Sequence, residues 1–298
     1  MSLSTLRTLR IGGPFHNIIG PPLLGLFPSL KGLHLEGPAI NECVGVDLAS
    51  PVVPIRIFQL QALSILGCTN EWGQRIVDDL VAAGCINSLR TLDLRVDPKF
   101  SLLNLCGLFR AVGGSLRELS LNMKYGSGIV FCASIITGSL LMRQKGDGNI
   151  RWGEMNLHLC TSLQTLKFSR ENVRFPWDHD LRTHFEDILR VIKTLGQSPI
   201  RDVAVCVAGE RTSGLQTHIK ESHWQEMQSL LLSMRTIRSL TFLDDISEWD
   251  PALHTDDALI PGSSWVPLPE EVEDVFASHL PSLVEEGIFK HASRGEWS

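Results

Sequence analysis

Apolar residues recur along this chain in short frames of the form LxxLxL, in which positions one, four and six are apolar. The clearest copy lies within SLRTLDLRV at 88–96, where the frame residues are Leu89, Leu92 and Leu94. Further copies begin at Leu6, Leu30, Leu60, Leu116, Leu163, Ile200 and Ile237, and a degenerate ninth spans 283–288. Side chains alternate between the two faces of a strand. We therefore predict strands whose fourth and sixth positions point inward and whose third, fifth and seventh positions point outward.

Between the frames the apolar pattern changes to a helical period. It predicts helices over 71–83, 101–112, 180–195, 222–234 and 269–280, and glycine follows several of them, as at Gly84 and Gly196. We interpret Asp180 as the N-cap of its helix. One strand–helix unit cannot bury its apolar side alone, so neighbouring units must stack. The pattern therefore predicts an α/β leucine-rich repeat solenoid: curved, with parallel strands on the concave face and helices on the convex face.

The intervals between frames are unequal, which predicts an irregular solenoid. We expect one unit over 1–298 with eight or nine repeats, an insertion at about 124–158 and a surface loop at about 244–267. Within the insertion, the apolar run at 129–142 predicts a buried helix, because a membrane span needs roughly 20 residues. No membrane partner is therefore expected.

Charge and cysteine usage narrow the expected partners and compartment. The net charge is −6 and the sequence has no run of Lys or Arg, so we expect no nucleic-acid partner. The seven cysteines are odd in number and form no CxxC pair, which favours reduced, buried thiols. Such thiols are typical of an intracellular protein, either cytoplasmic or nuclear.

The candidate catalytic and metal motifs are weak. The run 178–180 (DHD) resembles a metal or acid–base cluster, but helix capping explains it better, and His223 with Glu226 lacks further ligands or an HExxH pattern. The glycine-rich stretches at 125–128 and 145–148 match neither a GxSxG elbow nor a P-loop. We assign no catalytic, cofactor or metal residue and predict a protein that is not an enzyme. An enzyme built on the 124–158 insertion is the weaker alternative.

The predicted concave face is the strongest candidate for binding, because solenoids present extended surfaces to protein partners. The same alternation also places Cys206 and Thr241 on this face. The residues that we expect to contact a partner are Arg10, His34, Glu36, Asp93, Arg95, Glu118, Asn122 and Lys167.

The phrases FPSLKGLHLEG, SLRTLDLRV, SLRELSLNM and SLQTLKFSR, separated by short amphipathic helices, resemble the leucine-rich region of fungal F-box proteins. The resemblance implies the substrate-recognition arm of an SCF-type ubiquitin ligase, with a ubiquitination substrate as partner. The repeats begin at Leu6, so a Skp1-type adaptor is expected only if an F-box exists upstream. The stretch LPEEVEDVF at 268–276 imitates the opening of an F-box, but we interpret it as a helix leading to a last strand at 287–289. The alternative is a repeat scaffold or recognition module unconnected with ubiquitin.

Overall fold

A computed structural model describes residues 5–12, 24, 26–36, 58–66, 71–96, 102–123, 155–170, 179–207, 219–245 and 265–292. Their centre is an open sheet of nine strands in sequence order, of which the first eight are parallel. The strands are β1 (Thr8–Gly12), β2 (Gly32–Glu36), β3 (Ala62–Leu66), β4 (Thr91–Val96), β5 (Glu118–Met123), β6 (Thr165–Arg170), β7 (Asp202–Cys206), β8 (Ser239–Asp245) and β9 (Trp265–Pro267).

The strand register confirms the eight frames. Every fourth-position residue pairs with its equivalent in the next strand, and so does every sixth-position residue. The fourth-position ladder is Leu9, Leu33, Leu63, Leu92, Leu119, Leu166, Val203 and Leu240. All of these from Leu33 onward are buried, whereas Leu9 in the first strand is only half-buried.

Helices cover the face of the sheet to which positions four and six point. They are α1 (Glu71–Ala82), α2 (Leu102–Val112), α3 (His179–Lys193), α4 (Glu221–Ser233), α5 (Glu270–His279) and α6 (Pro281–Glu285). One apolar stripe of each longer helix joins the strand residues in a single core, which runs the length of the sheet. The molecule is therefore an α/β leucine-rich repeat solenoid with irregular repeats.

The predicted helix ends are confirmed at two glycines and wrong at one cap. Gly84 and Gly196 have φ angles of 67° and 58°, a left-handed conformation that glycine adopts without steric cost and that ends α1 and α3. The helix α3 begins at His179, so Asp180 lies in its first turn and is not the N-cap.

The C-terminal end of the sheet departs from the repeat pattern. The predicted loop at about 244–267 overlaps two strands at its ends, because Asp245 closes β8 and Trp265–Pro267 forms β9, which pairs antiparallel with it. The predicted last strand at 287–289 is reduced to a single parallel bridge between Phe289 and Leu240. Together these two segments occupy the outer edge of β8.

The stretch that imitates an F-box, 268–276, leads into α5 and forms most of it, and its Phe276 is buried in the core.

Part of the predicted insertion belongs to the core. Met155 and Leu157 are fully buried, and Leu157–Leu159 forms a 3₁₀ turn beside α2. Residues 155–158 of the predicted insertion therefore belong to the packed repeats. The predicted helix at 129–142 lies outside the described residues, as do 246–264 of the predicted loop.

Candidate functional site: the open face of the sheet

Among the described residues, the helices lie on one side of the sheet; the other side carries the side chains at positions three, five and seven, and we call it the open face. It corresponds to the predicted concave face. The register aligns the fifth positions as Arg10, His34, Ser64, Asp93, Ser120, Lys167, Ala204 and Thr241. Polar side chains therefore form a row across β1–β6, and small or apolar ones begin at β7.

Two ion pairs link neighbouring strands on this face. The Arg10 guanidinium lies 2.7 Å from the Glu36 carboxylate, with both side chains nearly half exposed. The Lys167 ammonium lies 2.7 Å from the Glu118 carboxylate, and these side chains are 20% and 35% exposed. Exposed pairs of this kind contribute about 0–1 kcal/mol to stability. Their main effect here is to fix a pattern of alternating charge.

His34, in β2, lies between two charged residues of the fifth-position row: Arg10 in β1 and Asp93 in β4. Partial burial lowers the pKa of His34; the carboxylate of Asp93 opposes this shift and the guanidinium of Arg10 adds to it. The Ser64 hydroxyl donates a hydrogen bond of 3.3 Å to Asp93. The partial burial of His34 therefore favours its neutral imidazole, which can donate or accept a hydrogen bond.

Asn122 extends the polar surface at position seven of β5. Its backbone pairs with Arg95 on one side and Ser169 on the other. The Oδ1 atom of Asn122 is buried and accepts no hydrogen bond within the described part of the chain. An unsatisfied buried acceptor costs about 1–3 kcal/mol.

The structure brings seven of the eight predicted contact side chains onto one face: Arg10, His34, Glu36, Asp93, Glu118, Asn122 and Lys167. The eighth, Arg95, has its backbone in β4, and its side chain lies outside the described residues. That these residues contact a partner stays a prediction.

The β7–β8 end of the open face is closed, which the sequence pattern did not predict. Cys206 and Thr241 were predicted to lie on the solvated face, but both are buried. Ala292 packs against an apolar cluster of Ala204, Cys206 and Leu243. The accessible open face is therefore limited to β1–β6.

A buried carboxylate holds this closing segment in place. The Glu273 side chain on α5 is 6% exposed, accepts a 3.2 Å hydrogen bond from the Ala292 amide, and lies 2.6 Å from the His291 ring. In the sequence, the only sign of this role is that Glu273 occupies a position on the apolar side of the predicted helix at 269–280. That signal does not say which backbone the carboxylate would bind.

A second concavity lies on the helical side, between the 3₁₀ turn and the end of α3. Its volume is about 410 Å³, and its lining comprises Asn156, His158, Arg190, Lys193, Thr194 and Gly196. The cations are already paired, since Arg190 lies 2.7 Å from Asp187 and Lys193 lies 2.5 Å from Glu226. The C-terminal end of a helix also repels anions. We therefore assign no ligand to this cavity.

The residues considered for metal binding are engaged separately. Glu226 pairs with Lys193, and the His223 ring faces Glu186 at 3.6 Å, so His223 and Glu226 do not share a ligand. The side chains at 178–180 lie outside the described residues. In the described ranges, no group of three His, Cys, Asp or Glu residues is arranged to hold a metal ion. Those ranges also contain no helix with the length and apolar character to cross a bilayer.

Comparisons with known proteins add little beyond this geometry. No protein-family model matches the chain, and no curated protein matches it. The crystal structure of the leucine-rich repeat-containing protein LegL7 from Legionella pneumophila is similar over 93% of this chain and 73% of its own. The sequence identity is 10% and the TM-score is 0.46. The fold assignment rests on the strand ladder itself.

Proposed function

We infer that this chain is a protein-interaction module whose partner binds the open face across β1–β6. The observation that supports this proposal is the asymmetry of the sheet. One face is packed against helices, and the other carries a row of polar side chains across β1–β6, all of them partly exposed except Ser64, which is buried. Repeat proteins commonly use such extended surfaces for partners. No catalytic role is proposed for any of these side chains.

Charge-swapped variants test the role of the open face without changing net charge. Glu118→Lys with Lys167→Glu reverses the polarity of one ion pair and retains its two charges. The matched control is Lys193→Glu with Glu226→Lys, which reverses an ion pair between α3 and α4 on the helical side. Affinity capture with quantitative mass spectrometry should show proteins retained by the wild type and by the control but lost by the open-face variant. Equal capture by all three would place the partner elsewhere.

The finer proposal is that this module is the substrate-recognition arm of an F-box-type ubiquitin ligase. It is supported by the repeat phrases that resemble fungal F-box proteins. The stretch at 268–276 does not supply an adaptor site, because Leu268 and Phe276 are buried in the core. A Skp1-type adaptor would therefore need an F-box upstream.

The fate of the captured partner separates this proposal from a scaffold without a ubiquitin connection. For a recognition arm, depletion of this protein should raise the partner's abundance and lower its ubiquitin conjugates. For a scaffold, the partner should still be captured, with abundance and conjugation unchanged. Co-purification of the adaptor with the protein expressed from its complete reading frame is the second measurement.

A further inference from the structure

Cationic residues dominate position two of the frames, at the edge where the strands begin. Six of the eight residues at this position are Arg or Lys, the other two are Gln, and none is acidic. All six cationic side chains are exposed. We call this set the basic row: Arg7, Lys31, Gln61, Arg90, Arg117, Gln164, Arg201 and Arg238.

The backbone fixes the spacing of the basic row. The carbonyl of Arg90 accepts hydrogen bonds from the amides of Arg117 at 2.8 Å and Glu118 at 2.9 Å. The same pair of bonds links every consecutive pair of row members from Arg7 to Arg238. Neighbours are therefore one strand spacing apart, about 4.8 Å, and the seven intervals span about 34 Å.

The charges of the basic row are not neutralised locally. Within the described ranges, none of the six cationic side chains forms an ion pair or a side-chain hydrogen bond, whereas Arg10 and Lys167 on the open face do. The two acidic residues at position three are engaged elsewhere: Glu118 with Lys167, and Asp202 with the Ser239 hydroxyl. Like charges in a line repel one another and oppose the folded state. A bound polyanion would relieve that repulsion.

We propose that the basic row binds an extended acidic segment of a partner protein. An extended polypeptide advances about 3.3–3.6 Å per residue, so a segment of about ten residues matches the length of the row. The cations come in neighbouring pairs, and Gln61 and Gln164 separate one pair from the next. This pattern of two cations and one Gln repeats every three strands, or about 14 Å. Four residues of extended chain cover the same distance, and residues four apart lie on the same side of a strand. Acidic side chains at four-residue intervals therefore fit the row.

The surroundings of the row favour a polypeptide over a single-stranded nucleic acid. Single-stranded nucleic acids bind through aromatic side chains on which bases stack. In the described part of the chain, the exposed large apolar residues are Leu26, Leu232 and Val284, and none is aromatic. The absence of such aromatic side chains from the described surface therefore favours a polypeptide over a single-stranded nucleic acid.

This surface is distinct from the open face, so the two proposals can fail separately. The basic row lies before the strands, and its variants leave the ion pairs of the open face intact. A defect in the row variants alone would concern the acidic segment, and a defect in the charge-swapped variants alone would concern the open-face partner.

The test uses the full chain and a fluorescently labelled peptide, Glu-Glu-Ser-Ser-Glu-Glu-Ser-Ser-Glu-Glu, with binding measured by anisotropy. The loss variant is Arg90→Gln with Arg117→Gln, which the row should tolerate because Gln already occupies two of its positions. The matched control is Arg110→Gln with Lys220→Gln, two exposed cations outside the row. We expect about tenfold weaker binding in the loss variant and a change within about twofold in the control.

A gain variant and two alternative probes complete the test. Gln61→Arg with Gln164→Arg completes the row and should bind the peptide about tenfold more tightly, with affinity falling as NaCl rises from about 50 to 200 mM. The proposal is overturned if the wild type does not bind the peptide at the lower salt, or if the loss variant and the control weaken equally. It is also overturned if a thymidine decanucleotide or phosphatidylserine vesicles bind the wild type more tightly than the peptide does.

Discussion

Among the glycines that the structure describes, Gly113 is the one where an added methyl group should disturb the fold most. It follows α2 directly and faces the 3₁₀ turn. A Cβ atom at this position would lie 2.2 Å from the carbonyl oxygen of Leu159 and 2.8 Å from that of Phe109. Both atoms belong to the backbone, so no side chain can rotate away to make room. Gly113→Ala must therefore move α2 and the turn apart.

The size of the effect follows from what that movement disturbs. Overpacking a core costs about 1–3 kcal/mol. The turn at Leu157–Leu159 is bounded by core residues, since Leu157 and Cys160 are fully buried. Their displacement adds lost packing to the steric overlap. We therefore expect Gly113→Ala to lower the free energy of unfolding by about 3 kcal/mol, the upper end of that range.

The neighbouring glycine supplies a control of opposite sign. A Cβ at Gly114 would meet no atom within 4 Å. Gly114→Ala should stabilise the protein by about 0.4–1 kcal/mol, because it restricts the unfolded chain. Urea unfolding, followed by circular dichroism and by tryptophan fluorescence, to which the buried Trp224 contributes, measures both variants. A Gly113→Ala protein within about 0.5 kcal/mol of the wild type would refute the reasoning.

Three further predictions concern the core, the thiols and pH. Leu92→Ala, in the centre of the fourth-position ladder, should lower the free energy of unfolding by about 2–5 kcal/mol in urea, and a negligible change would contradict the register. Burial raises the pKa of Cys85 and raises that of Cys160 to about 12. Maleimide should therefore not label either thiol at pH 8 before unfolding, and rapid labelling in the native state would count against their burial. Burial lowers the pKa of His34, so the folded state disfavours the protonated imidazole. The contribution of His34 to stability is therefore present above pH 6.5, which is about its pKa in the unfolded chain, and is lost as the pH falls through its pKa in the folded state. His34→Gln should reduce the loss of stability between pH 7.5 and 5.5; an identical loss in wild type and variant would refute this assignment.

The strands and most helix ends were predictable because their signals are local. The apolar residues of each frame lie within six positions of one another, and Gly84 and Gly196 end their helices by their own conformational freedom. The open face was predictable for the same reason, since alternation along one strand assigns Asp93 and Asn122 to it. These inferences needed no information about distant parts of the chain.

The remaining features arise from contacts between distant residues. The short strand Trp265–Pro267 is defined by its pairing with β8 and not by its own pattern. The closure of the open face by Ala292 depends on where Glu273 holds the segment. The cations of the basic row, such as Arg90 and Arg117, are separated by long stretches of sequence, so their alignment appears only once the strands are in register.

The sealed edge of β8 determines how a protein of this kind can lengthen. Phe289 pairs with the first half of the strand and Trp265–Pro267 with the last, so its backbone groups are not free to join another sheet edge to edge. A repeat added after β8 would have to displace both segments and the aromatic packing of Phe289 on Phe242. A repeat inserted between two existing strands would meet equivalent surfaces on each side. Gene duplication would therefore lengthen this solenoid at positions before β8, and the same cap on β8 would serve solenoids of different lengths.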